Sequence, residues 1–198
     1  MLRKTIKNIA LLDLQNFTAE ALREIKKIES CAMLLIPKNA SDEWKNAYAK
    51  ITIRNVASII EVSYSKYSVL NGMVTLNDKN VSDDCLYIVN GIVILETVEK
   101  IPDLCVNGLL LKRKKSCYEM TRMNGRSVEV EDNVVIKPYP NTIEIDGDTV
   151  RSFDYNTLVA AGNNVDIVDD VTEQMLSDKK ITFAAGNEVK CGKSILGY

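Results

Sequence analysis

The sequence predicts a β-rich solenoid, a parallel β-helix carrying short helices in its first turns. Three observations point there. An Asn-Gly element recurs at near-constant spacing through the middle of the chain. Aliphatic residues are abundant while aromatics make up only 6%, which suits thin stacked layers. The first sixty residues alternate helical and extended patterns. At 198 residues the chain is long enough to bury a sizeable core. It reads as one domain over 1–198, with helix-strand turns over 1–62 and Asn-Gly-cornered strands over 63–198.

The repeat carries most weight. Tyr67-Ser68-Val69-Leu70-Asn71-Gly72-Met73-Val74-Thr75-Leu76 is echoed by Leu86-Tyr87-Ile88-Val89-Asn90-Gly91-Ile92-Val93-Ile94-Leu95. Leu104 to Leu111, around Asn107-Gly108, is a third copy. Met123-Asn124-Gly125 opens a looser fourth, and Ile143 to Val150, around Asp146-Gly147, a degenerate fifth. The Asn or Asp positions are separated by 19, 17, 17 and 22 residues, and periods near 20 mark solenoids. Asn followed by Gly permits the positive φ of a tight corner. The alternative is an antiparallel meander in which each Asn-Gly is a hairpin turn. The continuous apolar run Ile92-Val93-Ile94-Leu95 favours strands covered on both faces, and so the parallel reading.

Ahead of the repeat, Phe17, Ala21, Ile25 and Ile28 recur at helical spacing, with Thr18 placed to cap, and predict a helix from Phe17 to Ile28. Ala32 to Ile36 reads as a buried strand stopped by Pro37. Ser41 and Asp42 cap a second helix bearing Trp44, Ala47 and Tyr48, followed by Ile51-Thr52-Ile53 and Ile59 to Val62. Two helix-to-strand units in succession suggest parallel strands with helical crossovers. After the repeat, Val165 to Val168, Ile181-Thr182-Phe183 and Val189-Lys190-Cys191 alternate. Gly162, Gly186, Gly192 and Gly197 fall at expected corners, and Thr172 to Leu176 offers a short helical turn.

Charge and composition exclude several function classes. A net charge of −2 and a pI near 5.4 provide no basic field for nucleic acid. The one basic cluster, Lys112-Arg113-Lys114-Lys115, reads as a solvated edge. The start Met1-Leu2-Arg3-Lys4 is positive, but its apolar stretch is cut by Asp13, too early for an export signal. No run approaches a membrane span, so a cytoplasmic location is expected.

The sequence contains no histidine, which rules out the usual serine and cysteine triads and the histidine-dependent solenoid acyltransferases. Five cysteines, Cys31, Cys85, Cys105, Cys117 and Cys191, form no close pair and read mostly as small buried hydrophobes. No metal site or cofactor is expected. Gly192-Lys193-Ser194 lacks the upstream glycine of a phosphate loop. Asp83-Asp84 and Asp169-Asp170 are the candidate paired carboxylates for polysaccharide chemistry, and adjacent strand residues point to opposite faces. Trp44, Tyr64, Tyr67 and Tyr87 are candidates for a sugar-stacking surface, with Tyr118 and Tyr139 weaker ones.

The Leu/Val-Asn-Gly-x-Val/Leu-x-Leu unit resembles bacterial leucine-rich-repeat-like and β-solenoid proteins. Residues 181–195 are similar to the glycine-cornered turns of polymer-forming bactofilins. These resemblances imply a leucine-rich-repeat-like or β-helical fold and a structural role, and supply no catalytic residues. The expected function is therefore a non-catalytic structural or protein-interaction scaffold. Solenoid ends stack unless capped, so self-association is expected through the C-terminal turn, with Ile195, Leu196 and Tyr198 as contacts. The alternatives are a carbohydrate-binding module using Trp44 and Tyr87, or a carboxylate-based polysaccharide-active enzyme.

Overall fold

In the computed structural model, residues 4–63 and 66–192 are described. The chain is strand-rich with few helices, and every strand pairing among the described residues is parallel. It divides into two compact units, residues 1–64 and 65–198.

In the first unit, β1 (Lys4–Asp13), β2 (Ile25–Pro37) and β3 (Thr52–Val62) form one parallel sheet in that order. Helix α1 (Ala19–Arg23) joins β1 to β2, and α2 (Asp42–Tyr48) joins β2 to β3. The hydroxyls of Thr18 and Ser41 accept from the backbone N–H groups of Ala21 and Trp44 and start the two helices. The predicted helix to Ile28 is corrected, because α1 ends at Arg23 and Ile25 already pairs with Lys4. The helical spacing of Ile25 and Ile28 arises instead at a register shift in the strand, where Lys4 pairs with Ile25 but Thr5 with Lys27. The same strand also bends. Ser30 has φ 55°, and its register neighbours Asn8 and Asn55 have φ 58° and 51°. One column of left-handed residues thus turns all three strands at the same level. Leu14, Leu22, Ile25, Ile28, Leu34, Trp44 and Ala47 meet in the core they enclose.

The second unit opens with β4 (Lys66–Asn77), β5 (Cys85–Glu96), β6 (Asp103–Arg113) and β7 (Glu119–Val130), a four-stranded parallel sheet in sequence order. The Asn-Gly pairs lie inside these strands and in register: Asn71, Asn90, Asn107 and Asn124 form one column, and Gly72, Gly91, Gly108 and Gly125 the next. They are bends within parallel strands, which removes the hairpin alternative. The fifth repeat is different: Asp146 follows β9 (Ile143–Ile145), and its carboxylate caps α3 (Gly147–Ser152) by accepting from the Thr149 N–H at 2.7 Å.

Two three-stranded parallel sheets complete the unit. One contains β8 (Val135–Tyr139), β10 (Thr157–Ala161) and β12 (Thr182–Ala185); the other contains β9, β11 (Asn164–Ile167) and β13 (Glu188–Cys191). Gly162 and Gly186 mark the bends between β10 and β11 and between β12 and β13. Helix α4 (Glu173–Lys179), capped by Thr172, follows β11.

Burial explains the apolar runs. Val93, Leu95 and Leu110 face one core with Leu76, Tyr87, Val89, Leu104 and Val106. Their neighbours Ile92, Ile94, Leu109 and Leu111 face another with Leu158, Ala160 and Ala184 of β10 and β12. The middle strands are therefore covered on both faces, as parallel strands usually are. A third core, with Val159, Ala161, Val165, Ile167, Leu176 and Ile181, lies on the other face of β10.

From Gly91 onward the glycine column leaves no room for a side chain. A Cβ on Gly108 would sit 2.2 Å from the Gly91 carbonyl oxygen at φ +138°, whereas one on Gly72 would meet nothing within 4 Å at φ +85°. Gly108→Ala should therefore destabilise the chain by about 3 kcal/mol or more, against about 1–2 kcal/mol for Gly72→Ala. Urea unfolding of the two variants checks this difference.

Candidate functional site

A cleft of about 390 Å³ lies within the second unit, lined by Gly91, Asn107, Gly108, Asn124 and Gly125 on one side and Pro140, Gly162, Asn163, Gly186 and Asn187 on the other. It forms because the sheets that share the Ile92, Leu109, Leu158 and Ala160 core both bend at their glycine columns. On the second wall, a Cβ on Gly186 would lie 2.1 Å from the Gly162 oxygen, and one on Gly162 2.2 Å from the Pro140 oxygen. Backbone bonds from Asn163 to Asn141 and from Asn187 to Asn163 continue the stack beside them.

The cleft has polar, uncharged side chains. On the first wall the Asn90 amide donates to Asn71 Oδ1 at 2.9 Å, and the Asn107 amide donates to Asn90 Oδ1 at 2.8 Å. The Asn124 side chain has no such bond to a described residue. Asparagine amides both donate and accept, so the lining can bind neutral hydrogen-bonding groups, and it holds no acid, base or nucleophile.

The other candidates are dispersed. Asp83 accepts from the Ile101 N–H at 2.7 Å, while Asp170 accepts from the Gly147 N–H at 3.1 Å. These carboxylates satisfy loop backbone at different places. Asp78 does the same more extensively, accepting from the N–H groups of Val98, Glu99 and Lys100. Those backbone donors, Lys100 first, hold its carboxyl below the usual range. Among the described residues no three Cys, Asp or Glu side chains cluster as metal ligands.

Cys31, Cys85 and Cys105 are buried and all five thiols are free. Burial pushes the Cys85 and Cys105 thiols up, away from the thiolate that nucleophilic chemistry needs. Trp44 and Tyr87 are each only 7% exposed. Trp44 stacks on Tyr48 and donates its ring N–H to the Phe17 carbonyl; the Tyr87 hydroxyl accepts from the Ser82 N–H. Both serve the core and leave no open ring face for a sugar. Tyr64, Lys193, Ser194, Gly197 and the proposed contacts Ile195, Leu196 and Tyr198 lie outside the described residues.

The basic cluster is paired across repeats. Lys112 meets Glu129 at 3.2 Å, Lys114 meets Glu131 at 3.3 Å, Lys115 meets Asp132 at 4.0 Å, and Arg113 reaches back to Glu96 at 3.4 Å. Each partner is 17 residues away, one repeat along or back. Sequence reading missed this ladder and the cleft; the acidic residues at the same 17-residue step were the available signal for the ladder.

No family model, curated protein or solved structure matches the chain.

Two outcomes are expected. Because the Asp78 carboxyl is depressed, its stabilisation is present above its unfolded pKa of about 4 and is lost as pH falls through the lower folded value. Urea midpoints of wild type and Asp78→Asn should therefore differ at neutral pH and converge in acid. Asn90→Ala removes the amide that both donates and accepts in the ladder, and should cost about 1–2 kcal/mol by the same measurement.

Proposed function

We propose that the chain is a parallel β-solenoid serving as a non-catalytic scaffold for protein interaction. The in-register asparagine and glycine columns support this reading above all: successive parallel strands repeat the same bend, and their aliphatic side chains stack in layers. Such repeats present long surfaces whose side chains vary while the backbone stays constant. The leucine-rich-repeat-like and bactofilin-like resemblance enters on pattern alone. No helix among the described residues is long and apolar enough to cross a membrane. A cytoplasmic location remains part of the proposal and suits five unpaired thiols.

Self-association is the partner the reading favours. Among the described residues, β12 and β13 each have a strand on one side only, and an unpaired parallel edge is a template for another chain. The sequence that follows β13 carries the apolar residues Ile195, Leu196 and Tyr198. Sedimentation of the full chain over a wide concentration range should show reversible association, weakened by Ile195→Ser with Leu196→Ser. A strict monomer at every concentration would overturn this mode of interaction.

A further inference from the structure

We propose that Asn124-Gly125 is a site of spontaneous covalent modification, where succinimide formation converts the asparagine to aspartate or isoaspartate, and that the stack shields the equivalent Asn90 and Asn107. All four Asn-Gly pairs present the same local chemistry. A glycine on the C-terminal side leaves its nitrogen unhindered for attack on the asparagine side chain. In the reaction the deprotonated Gly125 nitrogen bonds to Asn124 Cγ, the Cγ–Nδ2 bond breaks, and ammonia departs with the proton. Water then opens either carbonyl of the five-membered ring, giving aspartate or isoaspartate. The net change is asparagine plus water to an aspartyl residue plus ammonia, without any other reactant.

The structure separates the four pairs. Asn90 is held from both sides, donating to Asn71 and accepting from Asn107; Asn107 donates to Asn90. Asn107, Gly91 and Gly108 are half-buried. Gly91 and Gly108 also lie in strands paired on both sides. Asn124 and Gly125 are both exposed, on β7, which has a neighbour on one side only among the described residues. The Asn124 amide bonds to none of those residues, so no side-chain hydrogen bond among them holds its carbonyl carbon or its leaving group. Asn71 and Gly72 are exposed on the other edge strand, yet the Asn71 oxygen accepts the Asn90 amide. The structure thus ranks Asn124 first and Asn107 behind it, because local opening must part β6 from two neighbours but β7 from one.

The product would place a carboxylate on the otherwise uncharged first wall of the cleft. Isoaspartate would also add a methylene to the main chain of β7 between Met123 and Arg126, displacing Glu129 relative to Lys112.

The test is incubation of the native full chain at mildly alkaline pH, followed by peptide mapping that distinguishes aspartate from isoaspartate at each of the four sites. A parallel sample is kept unfolded in urea. The native chain should modify Asn124 roughly tenfold or more faster than Asn107, while the four sites converge in urea. Equal native rates at Asn124 and Asn107, or the same ranking in both samples, would overturn the proposal. Asn124→Gln, which retains the amide but disfavours the five-membered ring, should remove the leading product.

Discussion

Backbone contact at the glycine columns is the constraint from which the second unit follows. The oxygens of Gly72, Gly91 and Gly108 each occupy the space where a side chain on the next glycine would begin. Strands that approach so closely must bend at the same level, which sets the register of everything on either side. Val89 follows Leu70 and precedes Val106; Val93 follows Val74 and precedes Leu110. The aliphatic layers are consequences of that alignment. Their burial supplies the main driving force for folding, at roughly 25 cal/mol per Å² of apolar surface removed from water.

Two-sided burial of β5 and β6 creates the cleft. Their second halves serve two cores at once, so β10 and β12 can pack against the face opposite Val93 and Leu110. Where both layers bend away, no apolar side chain fills the gap, and asparagine lines it. The loops solve a different problem. They cross the ends of strands and leave backbone N–H groups without partners. Asp78, Asp83, Asp146 and Asp170 accept from such groups, which gives these four carboxylates a structural task.

The central repeat was legible because one short motif bears the conformational demand: only glycine accommodates both the positive φ and the close neighbour. The direction of pairing was less so, since Asn-Gly serves hairpins and internal bends alike. The first unit also has a column of positive-φ residues, at Asn8, Ser30 and Asn55, yet three polar residues of two types in unlike contexts form no visible motif. Ile25 and Ile28 misled because a register shift that leaves one extra residue in a strand can reproduce helical spacing over a few residues. The cleft could not be read at all, as its walls are separated by long stretches of sequence and meet through a shared core that includes Ile92, Leu109, Leu158 and Ala160. Trp44 and Tyr87 show the same limit: an aromatic side chain on a strand or short helix does not announce whether its face is covered.

The ionic ladder bears on which changes in length the chain can inherit. Lys112 stands four residues after Gly108, and Glu129 four after Gly125; Arg113 and Glu96 each stand five after their own glycine. Charged partners therefore occupy equivalent places measured from a fixed corner. A residue inserted into the turn over 114–118 would lengthen a loop and leave those measures intact. A residue deleted between a glycine and its charged end would reverse the faces of the intervening aliphatics and displace the ion pair together. Insertions and deletions in this region should accordingly be confined to the turns, with the spans from glycine to charge kept at constant length.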